Sequence, residues 1–131
     1  MRVVYDTSVL VTLLSRRDQI LKLKQAVSSR NIVIVISVPI LAEVETVLSS
    51  KFGLTKQAAK SRTNLLVRVS EVAKLESIEK ISRDSNDDMI LATALYGKAD
   101  YIVTLDEDLA VLKKYKSTAI ITPTAFNKIL G

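Results

Sequence analysis

Four short, continuous apolar runs stand out along the chain: Val3-Val4-Tyr5, Ile32-Val33-Ile34-Val35-Ile36, Tyr101-Ile102-Val103-Thr104-Leu105 and Ala119-Ile120-Ile121. All are rich in β-branched residues and none alternates with polar positions, the pattern of strands buried on both faces of a parallel sheet. Between them the apolar positions shift to a helical period. Ile20, Leu21, Leu23, Ala26 and Val27 recur near 3.6 residues. Pro39 suits a first helical turn and leads into Ile40 to Leu48, and Thr55 is placed to cap a helix through Ala58, Ala59 and Leu66. Ser85 or Asn86 can cap a helix through Ile90, Leu91 and Ala94 that Gly97 ends, and Pro123 opens a last helix reaching Leu130. Strand alternating with helix predicts an α/β fold: one domain over residues 1–131, three layers, a central mostly parallel β-sheet flanked by helices.

That prediction gives the acids a meaning. In open parallel sheets, ligands bind outside the carboxyl ends of the strands. Asp6 follows the first strand, and Asp106 follows the third, with Asp108 two residues on. Asp87 and Asp88 fall in the first turn of a helix, and Glu43 lies one turn into the helix after the second strand. Each has a plain structural role open to it: a cap for Asp6 and Asp108, a favourable helix N-terminus for Asp87 and Asp88, a solvated helix position for Glu43. Those roles do not explain why acids recur at strand ends beside strongly apolar runs. Clustered carboxylates repel one another and take up protons unless a cation neutralises them, so three or four together form a candidate metal site.

Composition narrows the chemistry. The 131 residues include no histidine and no cysteine. Serine–histidine triads, thiol nucleophiles, disulfides and His- or Cys-ligated metals are therefore excluded. Oxygen donors alone favour hard cations, Mg²⁺ or Mn²⁺. The net charge of +5 hides an uneven distribution. Residues 46–70 carry five bases and no acid, whereas residues 71–108 carry ten acids against four bases. Basic surface beside an acidic site suits a polyanionic substrate. Arg16 and Arg17, soon after Asp6, are expected to reach it. Aromatic residues make up 5%, so base stacking is not expected to drive recognition. No apolar stretch approaches the ~18 residues of a membrane span, and no targeting segment is visible, which predicts a soluble, cytoplasmic protein.

Asp6-Thr7-Ser8 resembles the opening motif of PIN-domain ribonucleases, and Leu41-Ala42-Glu43 is similar to the segment carrying that family's second acid. Asp87-Asp88-Met89-Ile90-Leu91-Ala92-Thr93-Ala94 resembles the third motif, with the family position on Asp87 and a register shift to Asp88 open. Val103-Thr104-Leu105-Asp106 resembles the fourth, a strand ending in Thr-x-Asp, although Leu105 is large where small or basic residues are frequent. Four motifs in order, from Val3 to about Phe126, are specific together. Arg83 to Asp88 and Ile121 to Phe126 bring the chain nearest to the VapC-like toxins of toxin–antitoxin pairs.

The resemblance implies hydrolysis of RNA phosphodiester bonds, leaving a 5′-phosphate and a 3′-hydroxyl. Asp6, Glu43, Asp87 and Asp106 would hold one or two Mg²⁺ or Mn²⁺ ions, with Asp88 or Asp108 as a further acid. Thr7, Ser8 and Thr104 would support them through hydrogen bonds. It also implies a homodimer and a small antitoxin partner, and no membrane. A housekeeping RNA-processing nuclease, and a catalytically silent RNA- or protein-binding module on the same fold, are the alternatives. A response-regulator receiver is disfavoured because one acid, Asp6, rather than a pair follows the first strand. A haloacid-dehalogenase-like phosphatase is disfavoured because Ser8 stands where its second acid would be.

Overall fold

A computed structural model describes residues 1–29 and 31–131. The elements run β1 (Arg2–Tyr5), α1 (Thr7–Ser15), α2 (Arg17–Ser29), β2 (Val33–Ile36), α3 (Val38–Ser50), α4 (Lys56–Arg68), β3 (Ser70–Val72), α5 (Ser85–Tyr96), β4 (Tyr101–Val103), α6 (Glu107–Ala110), β5 (Lys114–Tyr115), β6 (Thr118–Ile121) and α7 (Pro123–Leu130). The strands form one sheet in the order β3-β2-β1-β4-β6-β5. All pairings are parallel except β5 with β6. The fold is thus the expected α/β arrangement, a mostly parallel sheet flanked by helices.

The four apolar runs supply β1, β2, β4 and β6, with Val3, Val4, Ile34, Val35, Ile36, Ile102 and Val103 at or near complete burial. Ile32 lies just outside β2, and Leu105 lies beyond β4 and is exposed. Leu10 and Leu14 of α1, Ile40, Val44 and Leu48 of α3, and Leu66 of α4 complete the core. Each such side chain stabilises the fold by about 1.5–3 kcal/mol when fully withdrawn from water.

Two strands were not anticipated. β3 is three residues long, Ser-Glu-Val, at the sheet's edge with two of its three residues exposed. It pairs with β2 through its backbone and has no apolar pattern to announce it. β5 is two residues at the other edge. Gly97 does end α5, but not by adopting a left-handed backbone. A Cβ there would stand 2.3 Å from Val35 Cγ1 and 2.8 Å from the Thr93 carbonyl. Glycine is needed because α5 closes against β2 at that point.

The chain order places a crevice. From β1 the chain moves outward through β2 to β3, then returns through α5 to β4 on the other side of β1. Connections therefore diverge between β1 and β4, the position at which open sheets leave a cleft beyond their carboxyl ends. In the β1–β4 register Tyr5 stands opposite Val103, so Asp6 and Thr104 leave the sheet side by side.

Candidate active site

Asp6 and Thr104 are joined directly. The Asp6 N–H donates to the Val103 carbonyl at 2.9 Å. The Thr104 hydroxyl donates to Asp6 Oδ2 at 2.7 Å and accepts from the Asp106 N–H at 2.9 Å. That bridge gives Thr-x-Asp its physical sense. A hydroxyl two residues before Asp106 turns the chain and locks Asp6 at the same time, and both Asp6 and Thr104 are buried. The other Asp6 oxygen, Oδ1, accepts from the Thr7 N–H at 2.7 Å, so Asp6 also caps α1. The capping and site readings of Asp6 hold together, because each carboxylate oxygen has lone pairs to spare.

Asp87 comes from the first turn of α5. Its Oδ2 accepts from the Ser82 hydroxyl at 3.1 Å. The next residue, Asp88, faces elsewhere: its Oδ1 accepts the backbone N–H groups of Ile81 and Ser82 at 3.0 and 2.8 Å. Adjacent helical residues diverge by ~100° around the axis. So Asp87 enters the cavity while Asp88 ties down the preceding loop. The helix is capped by Asp84, whose Oδ1 accepts from the Asn86 N–H at 2.9 Å, rather than by Ser85 or Asn86.

These groups line one open cavity of about 510 Å³, with Asp6, Thr7, Ser8, Glu43, Asp84, Asp87, Leu105 and Asp106 in its wall. All four principal acids of the sequence reading are brought together. Asp88 and Asp108 are not in the wall. Asp88 is buried behind it, and Asp108 is exposed in α6, its N–H donated to Asp106 Oδ1 at 2.9 Å. Asp106, not Asp108, is the α6 cap.

Arg16 and Arg17 do not line the acid cavity. Arg16 is largely exposed and paired with Asp18 at 3.5 Å, and Arg17 lines a separate cleft with Lys24, Arg62 and Arg68. The reason is length. Asp6 and Arg16 bracket the nine residues of α1, which separates them by ~15 Å along the axis. Lys51, from the turn after α3, is the cation among the described residues of the cavity wall. Phe52 lies beside it. Asp84 is a fifth acid of the wall, three residues before Asp87 and therefore on the same side of the helix start.

The electrostatics are those of an uncompensated cluster. Asp6 is pushed above the usual carboxylate range by burial first, with Asp106 and Asp84 adding repulsion against the hydrogen bonds from Thr104 and Thr7. Glu43 is raised by its burial and then by Asp6, Asp84 and Asp87. Asp87 is pushed up to about 6, chiefly by burial, with Asp106, Asp84 and Asp6 contributing. Three buried side-chain oxygens among the described residues have no hydrogen-bond partner: Glu43 Oε2 and Thr7 Oγ1 at this site, and Ser70 Oγ in β3. The Thr7 hydroxyl is near enough to pull the Glu43 carboxyl part-way back down, without reaching hydrogen-bonding geometry.

A family model described as PIN domain matches residues 2–108. The chain belongs to the PIN-domain family. Among solved structures, this PIN domain is similar to a chain of VapBC2 from Rickettsia felis, crystallised bound to a DNA fragment from their promoter. The TM-score is 0.64 at 17% identity, covering 93% of this chain and 98% of that one. At that identity the likeness speaks for the fold. Curated proteins gave no sequence match. Among the described residues of this PIN domain, no helix is long and apolar enough to cross a membrane.

Proposed function

We propose that this PIN domain is a Mg²⁺- or Mn²⁺-dependent endoribonuclease and the toxin of a toxin–antitoxin pair. The observation that carries the reading is the convergence of Asp6, Glu43, Asp87 and Asp106, from four separate elements, on one cavity whose buried Glu43 Oε2 has no partner. Carboxyls pushed up by burial and by one another are groups that a cation would relieve. The donors are oxygens throughout, which fits a hard divalent ion. Asp6, Glu43, Asp87 and Asp106 would hold it. Such an ion supplies a nucleophilic water of lowered pKa and offsets charge on the attacked phosphate.

The chain's own groups do the positioning. Thr104 fixes Asp6 and Asp106 relative to each other, and Ser82 orients Asp87. Lys51 offers a cation to a backbone phosphate at the edge of the acid cluster. An antitoxin partner is supported by the fold shared with a chain of the VapBC2 complex, and a homodimer by the family resemblance of the sequence.

One observation favours a silent binding module instead. Among the described residues, no three acids are grouped closely enough to form a ready-made metal site. Single-stranded RNA incubated with purified protein separates the two. Cleavage with Mg²⁺ that stops on chelation, and falls at least about a hundredfold in Asp6→Asn and Asp87→Asn, supports the nuclease. Asparagine still caps α1, so the Asp6 variant keeps its fold. Full cleavage by either variant overturns the proposal.

A further inference from the structure

Phe52 is one of two phenylalanines in the chain. Phe126 is 2% exposed and packs edge-on against Tyr5 at 6.1 Å, whereas Phe52 is 44% exposed and lines the acid cavity. A solvated ring on a protein surface is commonplace in itself. This one is held in place. Gly53, at φ +71°, turns the chain directly after it. The Leu54 N–H then returns to the Leu48 carbonyl at 3.1 Å, and the Lys51 N–H donates to the Val47 carbonyl at 2.9 Å. The Lys51-Phe52 pair is therefore fastened to the end of α3 from both sides. Leu105, 63% exposed, also stands in the cavity wall, beyond Thr104.

We infer that Phe52 is a nucleobase-binding subsite, on which a base of the RNA strand stacks while Lys51 holds a phosphate of the same strand and Leu105 supplies a second apolar contact. The inference rests on the reading of the cavity as an RNA site and names how that site grips its substrate. Single-stranded nucleic acid offers bases and phosphates in alternation. The wall offers an aromatic face beside a cation, the pairing that stacking platforms for single strands use. A rigid ring loses little freedom on contact, so its exposed face is available at small entropic cost. The acids alone would repel the strand, which leaves Lys51 and Phe52 to provide attraction next to them. A protein side chain seated on the same ring is the competing occupant.

Binding of polyadenylate, polyuridylate and a base-free ribose-phosphate strand to the full chain, measured in EDTA so that nothing is cut, tests the inference. Wild-type protein should prefer polyadenylate to the base-free strand by about tenfold or more, with polyuridylate between them, the scale expected of stacking one base. Phe52→Ala should remove that preference and Phe52→Trp should restore it. Lys51→Ala should weaken all three ligands alike. Retention of the preference in Phe52→Ala overturns the inference. Failure of Mg²⁺-dependent cleavage with the base preference intact would instead remove the nuclease reading and leave the subsite standing.

Discussion

The two ends of the sheet carry charge in opposite ways. At the amino end, Arg2 donates to both Glu71 oxygens at 2.9 Å and through Nε to the Gly97 carbonyl at 2.8 Å. Its N–H reaches Asp100 at 2.8 Å, and Glu71 is held below its usual pKa by the guanidinium. At the carboxyl end, five acids share a cavity wall with Lys51, two buried oxygens lack partners, and Asp6, Glu43 and Asp87 are all raised. At one end the charged groups are paired with one another. The other is arranged for something the chain does not itself supply. Departures from local satisfaction concentrate at functional sites, and here the raised carboxyls all fall at the end where the topology opens a cleft. Helix α5 joins the two, beginning at Asp84 and Asp87 and ending at Gly97.

The comparison can be broken from either end. Asp87→Asn should have the largest effect, a loss of at least about a hundredfold in RNA cleavage assayed by gel. In metal-free buffer the same variant should melt higher than wild type, because it removes a charge from a self-repelling cluster. At the amino end, Gly97→Ala should destabilise by about 1–3 kcal/mol in urea titration, since its Cβ meets Val35 and the Thr93 carbonyl. Asp88→Ala should cost about 1–3 kcal/mol by leaving the Ile81 and Ser82 N–H groups without their acceptor. That contrast with Asp87 sharpens the assignment of neighbouring acids to two different tasks.

The pH dependence has opposite signs at the two ends. A carboxyl raised in the folded state binds its proton more tightly than in the unfolded chain. Its favourable contribution is present below about 4 and is lost as pH rises through the folded value. For Asp87 that value is about 6. Metal-free protein should therefore lose stability between about pH 4 and pH 6, and Mg²⁺ should flatten the slope. Glu71, lowered by Arg2, contributes stability above its unfolded pKa that disappears in acid. Its pair is exposed, so Glu71→Gln should produce the smallest shift in the urea midpoint.

Much of this was legible in the residues, for identifiable reasons. Strands buried on both faces must be apolar throughout, so β1, β2, β4 and β6 announced themselves. The edge strands β3 and β5 did not, because backbone pairing at an edge asks little of the side chains. Strand ends and helix starts brought forward Asp6, Glu43, Asp87, Asp88, Asp106 and Asp108, and the family resemblance selected Asp6, Glu43, Asp87 and Asp106 among them. Arg16 and Arg17 stand outside the cavity wall because nearness in sequence is cancelled by a nine-residue helix. Lys51 was legible only as part of a basic block, and Phe52 only as an apolar position near a dimer or antitoxin groove, since a turn after α3, not a motif, delivers them to the cavity. Whether Asp87 or Asp88 entered the site depended on helix rotation, which the doublet Asp-Asp leaves open.

The central claim is that the acidic end is completed by a divalent cation. Thermal unfolding at pH 7, with and without Mn²⁺, tests it in wild-type protein and in Asp87→Asn. The account predicts a Mn²⁺-dependent rise in the wild-type midpoint, growing with concentration as ligand linkage requires, and little or none in the variant. An equal response in both proteins, or none in the wild type, would contradict it.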